Sequence, residues 1–309
     1  MRTTSLLAAL VAASCAWAQD VLPEPARTYE ALYSFSREHP FFRYAPGRPF
    51  RARGDTTDPV NVAYLAELEL LTYYATTFQK ETLEAHGFRD VVNLTTSLGE
   101  CLVADRDGAT LVAFKGTTFE RLSYVARNLK GWRSEARAGG GVHAGFKECL
   151  DSLWPKLRQT LAARSKPVWL TGHSLGGALA VIAGTRLPRV QGVVTFGTPR
   201  VGNQAFADGL RIPCARYVNG RDGIPHMLPA WLGYRHAGRV RYLSASGVSR
   251  DAPRGSWSRR LAWLAPLTIP GAPGASLPSW FLDHAMLGYA IRTSNALLRG
   301  RAGVAGRLP

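Results

Sequence analysis

Residues 167–184 constrain this chain more than any other stretch. The β-branched and aromatic run Pro167-Val168-Trp169-Leu170-Thr171 leads straight into Gly172-His173-Ser174-Leu175-Gly176-Gly177. A small apolar run, Ala178 to Ala183, follows with no breaker before Pro188. The first run reads as a buried parallel strand; the last reads as a helix packed tightly on a sheet. Between them, Gly172 and Gly176 stand two residues either side of Ser174, where a side chain would crowd a sharp strand-to-helix turn. A serine hydroxyl attacks a carbonyl carbon only if a base takes its proton and the backbone leaves it clear. The spacing therefore marks Ser174 as a nucleophile, and the Leu175 N–H, at the start of the helix, as an oxyanion donor.

The rest of the chain supplies a sheet for that turn. Glu100 to Ala104 and Thr110 to Phe114 flank Asp105-Arg106-Asp107-Gly108, whose Asp-Gly pair signals a hairpin. Helical spacing covers Val62 to Tyr74, Phe78 to Ala85 and Ala144 to Ala163, and further strands read at Gly192 to Phe196 and Ala215 to Val218. Alternation of helix and strand after the hairpin implies a mainly parallel α/β sheet covered on both faces. Active groups then belong at the carboxyl ends of its strands. At 309 residues, 46% hydrophobic and without repeats, the chain suits one large catalytic domain over 61–309 behind a Pro- and Arg-rich arm at 19–60.

The formal net charge of +16 raises the question of nucleic acid, yet only six of the 38 basic residues are lysines and the arginines are scattered. No long basic run interleaves with aromatics, so a nucleic-acid partner is not expected; an arginine-rich coding bias accounts for the charge as well, and attraction to an anionic lipid surface stays open. Arg2, the apolar Leu6 to Ala13 and the small-x-small Ala16-Trp17-Ala18 form a secretory signal with cleavage after Ala18. The alternative is lipid attachment at Cys15. Export leaves Cys101, Cys149 and Cys214, enough for at most one disulfide. No Cys/His spacing suits zinc, no metal or other cofactor is implied, and no hydrophobic run approaches a membrane span.

A serine nucleophile needs a histidine base and an acid to orient it, in α/β-hydrolases in the chain order serine, acid, histidine. Among Asp208, Asp222, Asp251 and Asp283, only Asp222 directly follows a predicted strand. His226 shares the Asp222 loop and His236 precedes a predicted strand, which leaves His284, ahead of an apolar helix, as the base.

Several segments together resemble the class 3 lipases, the fungal-type triacylglycerol lipases and their bacterial relatives. Thr171 to Ala180 resembles the family's elbow, Val112-Ala113-Phe114-Lys115-Gly116-Thr117 its oxyanion strand, and Val142-His143-Ala144-Gly145-Phe146 its Val-His-x-Gly-Phe segment. Thr195 to Asn203 resembles the strand after the elbow, while Asp222 with Pro225 and His284 with Tyr289 fall where the family carries acid and base. The resemblance implies an α/β-hydrolase fold and a Ser174, His284, Asp222 triad. It also implies an oxyanion hole of the Thr117 and Leu175 N–H groups, each donor typically worth ~3 kcal/mol.

Lys115 replaces the family's usual arginine, and the Asp-Trp pair after the oxyanion strand is missing. The stretch 119–132 suits either an amphipathic lid or an ordinary surface helix, and the Pro- and Gly-rich 252–278 reads as an insertion. The expectation is an exported, cofactor-independent serine esterase acting on lipid esters, most directly acylglycerols, with no obligate protein partner evident. A phospholipase A1 or a feruloyl or aryl esterase stays open on the same fold. A non-catalytic basic lipid-binding envelope protein would share the charge and the leader but would not need spaced Ser, Asp and His.

Overall fold

The computed structural model describes residues 21–117, 134–136, 139–249 and 278–305. The expected signal segment with Cys15, the lid stretch at 119–132 and nearly all of the 252–278 stretch lie outside the described residues. In chain order the elements are α1 (Tyr29–Tyr33), α2 (Pro59–Leu71), α3 (Thr76–Ala85), β1 (Arg89–Thr95), β2 (Glu100–Arg106), β3 (Ala109–Phe114), β4 (Ser134–Glu135) and β5 (Gly141–Val142). They continue with α4 (Ala144–Ala162), β6 (Val168–His173), α5 (Leu175–Gly184), β7 (Val190–Phe196), α6 (Gln204–Gly209), β8 (Cys214–Asn219), β9 (Arg239–Ser244), β10 (Gly247–Ser249), α7 (Ser279–Leu282) and α8 (Met286–Ala305).

Eight strands form one sheet in the order β1-β2-β3-β6-β7-β8-β9-β10. The pairs from β3 through β6, β7 and β8 to β9 are parallel, and the hairpins at each edge are antiparallel. Parallel strands buried on both faces read as continuous apolar runs, and β3 and β6 are buried at every position. One face packs on α4 and α5, with Leu150, Leu153 and Leu157 against Val112, Leu170 and Val193. The other packs on α2, with α8 beside it.

Helix α2 is apolar nearly all round, as befits a helix enclosed by sheet, arm and α8. Asp58 starts it, its carboxylate accepting from the Val60 and Asn61 N–H groups, with Pro59 in the first turn where its missing N–H costs nothing. The arm contributes core: Phe41, Phe42, Tyr44 and Phe50 are buried around Tyr64, Phe88 and Trp169. Each such ring stabilises by roughly 1.5–3 kcal/mol. Glu67 on α2 is buried and accepts from Ser294 Oγ at 3.0 Å while pairing with His39 Nε2 at 2.9 Å, so arm, α2 and α8 share one polar knot. Cys101, Cys149 and Cys214 are all buried and no disulfide joins them.

Candidate active site

Strand β6 runs into α5 with no intervening loop, and Ser174 occupies the junction with φ 56° and ψ −124°. This left-handed conformation strains a residue with a Cβ. Packing on both sides imposes it: the Ser174 N–H donates to the Phe196 carbonyl at 2.9 Å, and the Gly177 N–H to the Ser174 carbonyl at 3.1 Å. A Cβ on Gly176 would lie 1.7 Å from the Phe114 carbonyl oxygen, so the first turn of α5 rests directly on the end of β3. Gly176→Ala is expected to destabilise the fold by more than about 3 kcal/mol, because backbone must move rather than a side chain. A drop in the urea midpoint at unchanged slope would record it.

That close approach brings two backbone segments together. Leu175 opens α5, so its N–H has no partner within the helix, and Thr117 is three residues beyond the end of β3, on which Gly176 rests. Lys115, between them, pairs with Glu100 at 3.0 Å, an arrangement a lysine makes without the bidentate geometry of arginine.

Asp222 and His284 meet at the carboxyl end of β8. His284 Nδ1 is 2.8 Å from Asp222 Oδ2, and both residues are buried. The aspartate is held by two further donors, the Tyr289 hydroxyl to Oδ2 at 2.6 Å and the Ile224 N–H to Oδ1 at 2.8 Å. Gly197, directly after the Phe196 carbonyl that holds Ser174, has φ +57° and no side chain. A Cβ there would lie 2.5 Å from Asp222 Oδ2 and 3.0 Å from His284 Cε1. Asp222 and His284 thus sit against the same strand end as Ser174. Ser174 Oγ is buried and makes no hydrogen bond, a common state of a serine site without substrate.

The loop carrying His284 is gripped from two sides. Asn219 Nδ2 donates to the Asp283 carbonyl at 2.9 Å, and the Arg221 N–H to Asp283 Oδ2 at 2.8 Å. From the arm, Arg27 pairs with Asp283 Oδ1 at 2.7 Å and the Tyr33 hydroxyl donates to the Phe281 carbonyl at 3.0 Å. Asp283 therefore bridges the arm and the turn after β8. Beneath the loop, His173 Nε2 is 2.7 Å from the His284 carbonyl and its Nδ1 is 2.6 Å from the Tyr73 hydroxyl. Burial, then the neighbouring His284, pushes the His173 imidazole well below its usual range, so it is neutral. A carbonyl only accepts, hence Nε2 carries the proton and Nδ1 receives the tyrosine O–H.

Neither the Tyr73–His173 pair nor the Tyr289 hydroxyl's hold on Asp222 announces itself in sequence, because these roles depend on contacts across 100 and 67 residues. Tyr289→Phe removes one charge-assisted hydrogen bond and is expected to lower kcat roughly tenfold with little change in KM. Steady-state kinetics on a soluble ester separates the two. The alternative histidines lie elsewhere: His226 closes a short 3-10 turn after Asp222, and His236 precedes β9.

Residues 111–231, from β3 through the acid loop, match the model of the class 3 lipase family. This central segment is similar to class 3 lipase sequence. A lipase of Rhizopus niveus is 32% identical to the chain over 174 residues, covering 50% of this chain and 44% of its own length. The secreted mono- and diacylglycerol lipase 1 of Fusarium solani is 30% identical over 174 residues, 52% of each chain. The chain spans about half the length of these curated relatives. Among solved structures, the lipase of Rhizopus microsporus var. chinensis aligns over 66% of this chain and 80% of its own, at 25% identity and a TM-score of 0.50. The matched segment thus sits in an α/β-hydrolase fold, with Ser174 between β6 and α5 and Asp222 after β8.

Proposed function

We propose that this chain is a serine hydrolase of carboxylic esters that acts on acylglycerols. The observation that carries the reading is the Asp222–His284 hydrogen bond of 2.8 Å at the strand end that also holds the strained Ser174. In the proposed cycle His284 Nε2 takes the Ser174 proton as Oγ attacks the ester carbonyl. The Thr117 and Leu175 N–H groups receive the developing oxyanion. His284 returns the proton to the leaving alcohol, and water, activated the same way, releases the acid from the acyl-enzyme. Asp222 keeps the imidazole in the Nδ1–H tautomer throughout.

Acylglycerols are favoured as substrates because the relatives named above are lipases, the Fusarium protein a mono- and diacylglycerol lipase. Export with cleavage after Ala18 fits the leader and the secreted relative, and N-terminal sequencing of mature protein beginning at Gln19 would support it. The substrate reading is tested by kcat/KM on a panel of mono-, di- and triacylglycerols, a phospholipid and a feruloyl ester, assayed below and above the aggregation threshold. Highest efficiency on an acylglycerol is expected. Preference for the phospholipid or the feruloyl ester would move the substrate class, and failure of an organophosphonate to label Ser174 would sink the enzyme.

A further inference from the structure

A second polar site lies inside the sheet face that packs on α5, apart from the triad. Thr195 of β7 and Arg216 of β8 are register partners in parallel strands about 4.8 Å apart. Both alternate with residues of the same core, Val193 and Cys214, so their side chains stand side by side facing α5. Thr195 is 0% exposed and Arg216 8%, yet neither the Thr195 hydroxyl nor Arg216 Nε has a hydrogen-bond partner. His236 Nδ1 is likewise shielded and unpartnered.

Charge deepens the anomaly. A guanidinium withdrawn from water demands a carboxylate or another anion, and no described carboxylate pairs with Arg216. The neighbouring Arg200 donates to the His226 carbonyl at 2.8 Å and, more weakly, to those of Met227 and Leu228. Arg235 donates to the Ala230 and Tyr234 carbonyls. Burial, then Arg216 and Arg200, push the His236 imidazole well below its usual range, so it adds a dipole and no charge. The net local charge is positive, and the two buried donors left without partners there are the Arg216 Nε–H and the Thr195 O–H.

The geometry points to a buried site for a single halide-sized anion, chloride in solution, held by Arg216 Nε–H and Thr195 Oγ–H. One guanidinium balances one monovalent ion. His236, which neighbours Arg216, ends the segment 224–236, whose first residue donates its N–H to Asp222.

Bromide soaked into crystals of the full chain grown without halide is expected to give an anomalous peak about 3.3 Å from Arg216 Nε and Thr195 Oγ1. In solution, chloride should raise Tm saturably over sodium gluconate at equal ionic strength, by roughly 3 °C. Arg216→Met should abolish that difference. Should Arg216→Met fail to fold, Thr195→Val, close in shape, should shift the chloride midpoint at least tenfold. Coincident chloride and gluconate curves, a bromide peak elsewhere only, or an oxygen-sized peak without anomalous signal would overturn the site. Ser174→Ala protein should respond like the parent, so the result is independent of the ester-hydrolase reading.

Discussion

Ser174→Ala is expected to lower kcat on a short-chain chromogenic ester by about 10⁶-fold, leaving the residual rate that a positioned substrate and oxyanion donors supply without a nucleophile. Folding should be unaffected, since alanine fits the same strained backbone and Ser174 Oγ makes no hydrogen bond to lose. Ser174→Gly separates chemistry from stability. It should be as inactive as the alanine variant but more stable than the parent. Release of the φ 56°, ψ −124° strain contributes ~1–3 kcal/mol, against ~0.5–1 kcal/mol of extra chain entropy for glycine. Strain release wins by on the order of 1 kcal/mol, a Tm rise of about 3 °C. Retained turnover in either variant would remove Ser174 from the mechanism, and a glycine variant less stable than the alanine one would refute the strain argument.

Asp222→Asn should lower kcat about 10⁴-fold with the fold intact. The argument is geometric. The Ile224 N–H donates to Oδ1, which compels an asparagine to place its oxygen there and its NH₂ where Oδ2 now faces His284 Nδ1 and the Tyr289 hydroxyl. An NH₂ donates, so the imidazole must offer Nδ1 as acceptor and carry its proton on Nε2. The lone pair that would take the serine proton is then gone. Asp222→Asn and Asp222→Ala should be comparably slow, whereas a merely electrostatic role would leave the asparagine variant intermediate. The imidazole ¹⁵N shifts report the tautomer directly. An asparagine variant within tenfold of the parent would show that another group orients His284.

How far the sequence could be read depended on whether a feature was local. The strand–elbow–helix unit was legible because apolar periodicity and the two glycines flanking Ser174 are contiguous. The Asp107-Gly108 hairpin between β2 and β3 was legible for the same reason. Strand β1 was not assigned, since it is an edge strand with only Leu94 buried and no apolar alternation to betray it. The arm reads only as Pro- and Arg-rich, and only the folded chain shows Phe42 and Phe50 in the core around Tyr64. Asp222 and His284 were found by order along the chain; their mutual distance was not deducible.

Neighbouring residues and backbone propensities suffice for the elbow, the parallel character of the sheet around it and the order of the candidate nucleophile, acid and base. Tertiary structure alone decided that His284 closes on Asp222 against Gly197, that Tyr289 and the arm residues Arg27 and Tyr33 hold that loop, and that Thr195 and Arg216 stand side by side without a partner. The physical reason is that burial and pairing are properties of contacts between segments distant in the chain, and a side chain's partner, unlike its propensity, exists only once the sheet has set the register.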